Sequence, residues 1–346
     1  MAGGYSMTSA EMLETMAESA LASHQRISVV GRQQRSGPVL HDFVWRSGNE
    51  APAIEPMPDD LLVTAGAGVT LSFLNQALAS FRQWVPYEAP DGIDDTLGAV
   101  LGMGLDCPWR AGWGPLADRV VAMKVWTPAF GLLDLGAKVV KNVAGFNLHR
   151  LFLGSRAKFG IILEATLKVS PLPPERSQWL WTESLAKVPQ LLERLAQPGK
   201  QWAQILGWGT PENYQVLAEW HGYAAMVNYL RETLGTVNVI SDHGLPRTSH
   251  DSPAVTGAVP RSRLVTWAQQ AGPQLLLEWQ TGWFWLPVAS AETSRWIAAV
   301  RKLDGIAIAT RGVEYSMMPG EPTARTIIAR LKSHFDPLAV LGGGDD

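Results

Sequence analysis

Apolar residues fall at helical spacing in Leu13, Met16, Ala20 and Leu21, just after Thr8 and Glu11, which have the spacing of a capping box. A helix is therefore expected to open the chain, followed by a strand over Ile27–Val30. Further on, 61–65 reads as a strand and 71–81 as a helix, with Gly66-Ala-Gly68 between them. A helix or turn leading into a strand is expected over 118–127, a hairpin turn over 129–131, and a strand end over 138–140. Asn147 is placed to cap a short helix, 148–153, ended by Gly154. Next, 159–169 reads as a buried strand carrying β-branched Ile161, Ile162, Thr166 and Val169, stopped by Pro171, Pro173 and Pro174.

The run P-L-P-P-E-R at 171–176 reads as a linker, and the pattern changes after it. Strands are expected at 179–183, 204–208, 214–220 and 237–241, with helices at 185–195 and 224–234. That β-α-β-β-α-β order predicts an antiparallel sheet with helices on one face. Residues 242–262 read as a polar loop, 274–288 as one strand through Trp279, Trp283 and Trp285, 290–303 as a helix, 305–310 as a strand and 323–335 as a helix.

Composition narrows the classes. At 346 residues, about two domains are expected, each large enough for its own core. Hydrophobic content of 46% with 18% charged residues describes a globular chain, and a net charge of −3 argues against non-specific nucleic-acid binding. Cys107 is the single cysteine, which excludes an internal disulfide and a cysteine-ligated cluster. No apolar run approaches the roughly 20 residues of a membrane span. The start lacks a basic-then-apolar leader. A cytoplasmic protein is expected, or one attached peripherally to a membrane through a complex. The 15 tryptophans are expected in cores and interfaces.

The densest chemistry lies in 136–171. Gly136, Gly145, Gly154 and Gly160 punctuate it, and Lys138, Lys141, Arg150, Arg156, Lys158 and Lys168 face a single acid, Glu164. Glycines and cations together suit a backbone that approaches an anion closely. The plainer alternative is a strand–helix–strand unit with a solvated basic face.

The runs V-K-N-V-A-G-F-N-L-H-R-L-F-L-G-S and G-I-I-L-E-A-T-L-K-V-S-P in this stretch resemble the vanillyl-alcohol oxidase / p-cresol methylhydroxylase (PCMH) flavoprotein superfamily. Within it, they are most similar to the second flavin-type subunit of bacterial glycolate oxidase. D-D-L-L-V-T-A-G-A-G-V-T-L-S-F-L-N-Q-A-L, W-V-P-Y-E-A-P, T-L-G-A-V and D-R-V-V-A-M-K-V-W-T-P upstream follow the same family in the same order, so the likeness covers about 25–175. It implies an α+β fold: a two-lobed FAD-binding type-2 domain plus an antiparallel-sheet cap. The domains implied are 1–175 for FAD, 176–310 for the cap, and 311–346 returning to the first. It implies FAD, bound non-covalently, with Gly31, Thr96, Gly98, Ala99, Gly102, Lys141, Asn142, Gly145, Gly154, Gly160, Ile161 and Ile162 as cofactor-binding candidates. It also implies oxidation of a small 2-hydroxy acid within a complex holding a second flavin subunit and a separate iron–sulfur subunit. The chain departs from the family pattern in two places. The loop 31–37 has two glycines and two arginines where the family has a glycine-rich loop, and Gly342-Gly-Gly344 stands where the family has an Asn-Pro-Gly turn.

A second reading keeps the fold without FAD, as a structural or regulatory subunit. A nicotinamide site on Gly66-Ala-Gly68 lacks the third glycine of its fingerprint. No catalytic base is located. The seven histidines show no cluster and no metal-binding pair spacing. His149 reads as a surface or capping histidine, and His221, at the end of a cap strand, as a possible pocket residue. Arg261 and Arg263 read as solvated loop arginines rather than carboxylate anchors. Asp106, Arg110 and Asp118 read as loop salt-bridge partners.

Overall fold

The computed structural model describes residues 8–30, 43–46, 53–137, 147–196, 201–234, 254–310 and 322–341. The expectations for 31–37, 138–146 and 237–241 lie outside the described residues.

The first lobe is built on one antiparallel sheet. Helix α1 (Ser9–Ala22) starts on the expected capping box. The Thr8 hydroxyl accepts the Glu11 amide and Glu11 accepts the Thr8 amide, which holds the Glu11 carboxyl below its usual value. Strands β1 (Ile27–Val30) and β2 (Phe43–Arg46) pair in parallel, and Leu341, near the chain's end, joins beside Ile27. Then follow β3 (Ile54–Met57), β4 (Leu62–Gly66), α2 (Leu71–Ala79), β5 (Gln83–Trp84), α3 (Leu97–Met103) and α4 (Arg110–Trp113). Next come β6 (Val120–Thr127), β7 (Gly131–Gly136), β8 (Ile161–Lys168) and β9 (Ser170–Pro171). The sheet order is β3-β4-β8-β6-β7, and β5 pairs with β9 beside it.

Strand β8 is buried on both faces because its neighbours use alternate side chains. Ile161 points to the core under α1 with Trp126 and Leu13, while Ile162 joins the core under α2 and α3. Hence a strand with apolar residues on consecutive positions is stable here.

The second lobe is a seven-stranded antiparallel sheet. Its elements are β10 (Glu175–Glu183), α5 (Val188–Leu195), β11 (Gln204–Gly209), β12 (Tyr214–Gly222), α6 (Ala224–Leu234), β13 (Ala254–Ala258), α7 (Leu264–Ala271), β14 (Leu276–Glu278), β15 (Trp283–Pro287), α8 (Thr293–Lys302) and β16 (Ile306–Ala309). The order is β10-β12-β11-β14-β15-β13-β16. Helices α5 to α8 cover one face, over Trp179, Trp267 and Phe284. The other face carries Leu206, Leu217, Leu276, Trp283 and Trp285. Helix α9 (Pro322–Phe335) packs Ile328, Leu331 and Phe335 back on the first lobe.

Four expectations are corrected. The stretch 242–262 is not all loop, since β13 lies in it, sandwiched between β15 and β16. The stretch 274–288 is two strands, because Glu278 turns the chain: its carboxylate accepts the amides of Gln280 and Thr281 and the Thr281 hydroxyl. Asn147 makes no side-chain cap, and the helix after it is a single 3-10 turn, Leu148–Leu151. The stretch 96–104, whose three glycines read in the sequence as a glycine-rich loop, is a helix.

Candidate cofactor site

Helix α3 centres the site. Thr96 caps it, its hydroxyl accepting the Ala99 amide at 3.3 Å. Leu97, Val100 and Leu101 form its buried stripe, and Gly104, with φ of 66°, ends it in the left-handed conformation. The opposite face holds Gly98, Ala99 and Gly102, all half-buried.

The two glycines of that face differ. At Gly98 an added Cβ would lie 2.8 Å from the Ala67 Cβ and 3.1 Å from the Ala67 carbonyl oxygen. This glycine lets α3 rest directly on the 66–70 turn, where the Gly98 amide donates to Ala67 and the Leu97 amide to Val69, each at 2.8 Å. At Gly102 an added Cβ meets no described atom within 4 Å. Among the described residues, the space beside it is open.

The far end of α3 receives the segment after the 3-10 turn. The Gly154 amide donates to Leu101 and the Arg156 amide to Gly102, both at 2.8 Å. Gly154, Arg156 and Ala157 all have positive φ, of 69°, 54° and 62°. A left-handed non-glycine residue costs about 1–2 kcal/mol. Ala157→Gly should therefore stabilise the protein by about 1 kcal/mol in urea unfolding, net of the extra chain entropy of glycine. Gly160 lets β8 start against β6, since an added Cβ would meet the Trp126 carbonyl oxygen at 2.7 Å.

Of the candidate residues, Thr96, Gly98, Ala99, Gly102 and Gly154 thus converge on α3, and Gly160, Ile161 and Ile162 begin the strand behind it. Gly31, Lys141, Asn142 and Gly145 lie outside the described residues. The cationic excess of 136–171 is partly spent on protein partners. Arg150 bonds Asp118 at 2.8 Å, and Arg156 donates to the Ala309 carbonyl of β16 at 2.7 Å. Lys124 pairs with Glu164 at 3.2 Å. The first three amides of α3 are also committed, to Val69, Ala67 and Thr96. As a result α3 offers a bare surface, not a row of free anion donors.

That surface fits the planar part of a flavin: three positions without bulky side chains, one of them open to added atoms. Neither Cys107 nor His149 is poised for a covalent tether. Cys107 is buried, its thiol pushed up to about 12 by burial and by the Asp106 charge, so it stays protonated. His149, expected at the surface, is instead 4% exposed and bonded to the Val120 backbone. Burial and the neighbouring Arg150 lower its pKa, keeping it neutral.

Asp106 pairs with Arg110 at 2.9 Å, as expected for a loop salt bridge. Burial outweighs the arginine and raises its pKa to about 6. The folded state therefore holds this proton more tightly than the unfolded chain does. Its contribution is fully present below about pH 4 and is lost as pH rises to about 6, at most about 3 kcal/mol. Asp106→Asn should flatten that part of the urea-midpoint profile between those two pH values.

Apart from His221, read as a possible pocket residue, sequence reasoning missed a second cluster, where the two lobes meet. Glu219 and His221 are neighbours on one face of β12, with side chains 3% and 1% exposed. Glu219 accepts from Gln204, from the Trp109 indole at 3.2 Å, and from His221 Nε2 at 2.6 Å. Desolvation would raise its pKa, but these donors hold it below the usual value. The Trp113 indole donates to His221 Nδ1 at 2.9 Å. Trp84, Trp109 and Trp113 surround the imidazole, and the Arg176 guanidinium lies 4.2 Å from the Trp84 ring centre. Gly112 completes the seam, its amide donating to the Ala203 carbonyl at 3.1 Å.

Comparison with known proteins adds the following. A family model described as FAD binding domain matches residues 49–135. Glycolate oxidase subunit GlcE of Escherichia coli (strain K12) is 38% identical over 117 residues, 34% of this chain and 33% of that protein. Glycolate oxidase subunit GlcD of Bacillus subtilis (strain 168) is 35% identical over 122 residues, 35% of this chain and 26% of that protein. D-lactate dehydrogenase of Archaeoglobus fulgidus is 25% identical over 119 residues, 34% of this chain and 26% of that protein. These matches span a third or less of each relative. Alkyldihydroxyacetonephosphate synthase has the same fold, with a TM-score of 0.69 at 13% identity, over 98% of this chain and 76% of that one. The first lobe thus holds an FAD binding domain with FAD as its cofactor, and the chain is similar to FAD-binding flavoproteins of the p-cresol methylhydroxylase and vanillyl-alcohol oxidase type.

Proposed function

We propose that this chain is the FAD-binding subunit of a glycolate oxidase-like or dehydrogenase-like complex that oxidises a 2-hydroxy acid to a 2-oxo acid. The observation that carries this is α3. Its face of Gly98, Ala99 and Gly102, open at Gly102, sits between the 66–70 turn and the Gly154–Gly160 segment, within the lobe matched by the FAD binding domain. The lobe division is taken as 1–175, 176–310 and 311–346, with FAD held non-covalently between the first lobe and the cap. FAD supplies the two-electron acceptor. Thr96 and Gly98 fix α3 in place, Gly102 leaves room for the ring, and Lys141, Asn142 and Gly145 with Gly31 are assigned to the diphosphate. Arg156 ties this bed to the cap through the Ala309 carbonyl.

The partners proposed are a second flavin subunit and a separate iron–sulfur subunit, in a cytoplasmic or membrane-peripheral complex. Resemblance to glycolate oxidase subunits supports that assembly. The experiment is anaerobic addition of glycolate or D-lactate to the chain isolated with its bound partners. Bleaching of the flavin by either acid supports the reading. A complex whose flavin stays oxidised with both would contradict it, and a complex in which this chain carries no flavin would favour a structural subunit.

A further inference from the structure

Among the described residues, two groups of hydrogen bonds tie the cap sheet to the first lobe, one at the edge strand β16 and one at β12, next to the opposite edge. Arg156 grips β16, and the Trp109–Trp113 segment grips β12. The second tie depends on where one histidine keeps its proton. His221 Nδ1 accepts from Trp113, so its proton sits on Nε2, which donates to Glu219. Trp113 belongs to the first lobe, whereas Glu219 lies two residues from His221 on the same cap strand.

We infer that His221 is an acid-sensitive clasp between the lobes. Uptake of one proton at Nδ1 replaces an acceptor by a donor, and the Trp113 N–H then faces another N–H. The same proton strengthens the pair with Glu219, which lies within the cap. Acid thus shifts the histidine from bridging the two lobes to bonding only within the cap. Charged groups of both signs lie around it. Glu219 on β12 pairs with His221 Nε2, and Arg176, opposite His221 on β10, carries a positive charge partly offset by Glu219 and Glu88. Gln204 on β11, Trp84 on β5 and Trp109 beside α4 are neutral. Arg119 donates to the Trp113 carbonyl at 2.8 Å and so holds that backbone to the first lobe rather than to the cap. Trp109 and Gly112 keep their own bonds to the cap, so the seam loosens along the Trp113–His221 line rather than parting. The Arg156–Ala309 tie does not involve His221 and remains as the pivot.

Hydrogen exchange followed by mass spectrometry on the full chain tests this without reference to FAD. Wild type, His221→Gln and Trp113→Phe are compared at about pH 7.5 and about pH 5.5, on either side of the reference histidine value. Rates are corrected for the intrinsic effect of pH. Loss of one buried hydrogen bond corresponds to about tenfold faster opening. In wild type, α4 and the first residues of β10 should therefore exchange about tenfold faster in acid, while α1 and β8 do not. His221→Gln, which can donate to Glu219 and accept from Trp113 without titrating, should lose the pH response. Trp113→Phe, which keeps the ring but not the N–H, should exchange fast at both pH values. An acid response in His221→Gln equal to that of wild type, no response in wild type, or equal acceleration in α1 and β8 would each overturn the proposal.

Discussion

Gly102→Phe should purify folded and without flavin, whereas Gly98→Val should not fold. Both glycines lie on the same face of α3, four residues apart. At Gly98 the added atoms meet the Ala67 Cβ and carbonyl at 2.8 and 3.1 Å, and the backbone there also bonds the Gly98 amide. A turn packed that closely has no rotamer to yield, so the overlap and the lost hydrogen bond should cost about 3 kcal/mol or more. At Gly102 the added atoms enter open space, and a phenylalanine is a better helix residue than glycine by a few tenths of a kcal/mol. Stability should hardly change. The ring would occupy the surface assigned to the flavin, and FAD affinity should fall by more than about tenfold, equivalent to about 1.4 kcal/mol. Circular dichroism and an FAD titration on the same sample separate the two outcomes. Normal FAD binding by Gly102→Phe would place the flavin elsewhere.

Glu219→Ala is the second large effect. The carboxylate answers three donors, from Gln204, Trp109 and His221, and together with Glu88 it supplies negative charge to Arg176. Removing one member of a buried charged network typically costs about 3–5 kcal/mol, because the partners stay buried and unpaired. Glu219→Gln should cost about 2 kcal/mol, since the amide keeps the shape but turns an NH2 toward one of the donors. The pH sign follows from the depressed carboxyl. Its contribution is present above the ordinary carboxylate pKa and is lost as pH falls through the lower folded value. The wild-type advantage over Glu219→Gln should therefore persist at neutral pH and vanish only in strong acid, read as urea midpoints. Equal midpoints for wild type and Glu219→Ala at neutral pH would show that the cluster carries no stability.

Much of the first lobe was legible because its signals are local. The Thr8–Glu11 spacing gave α1, and the β-branched run gave β8. Helix α3 was not read, although its signals are local too. Thr96 precedes an apolar stripe of Leu97, Val100 and Leu101, and Gly104 follows it, but Gly98, Gly102 and Gly104 together read as loop. The glycines serve packing and open space, which become visible only once Ala67 is beside them. Strand β13 was hidden for a similar reason. It is short, carries Gly257, and is stabilised by pairing with β15 and β16 from 25 or more residues downstream. Beyond His221 at the end of a cap strand, the lobe seam left no sequence signal. Trp109 and Glu219 lie 110 positions apart, and Trp113 and His221 lie 108 apart, so no periodicity links them. The basic run after Gly136 was legible as charge but not as role, since Arg150 and Arg156 turn to Asp118 and to a cap carbonyl.

The visible absorption spectrum of the purified chain, before and after reconstitution with FAD, tests the central claim most directly. The account predicts the bands of oxidised flavin, with the chromophore left in the supernatant once acid precipitates the protein. A chain that stays colourless after reconstitution, or one whose chromophore precipitates with it, would contradict non-covalent FAD on the open face of α3.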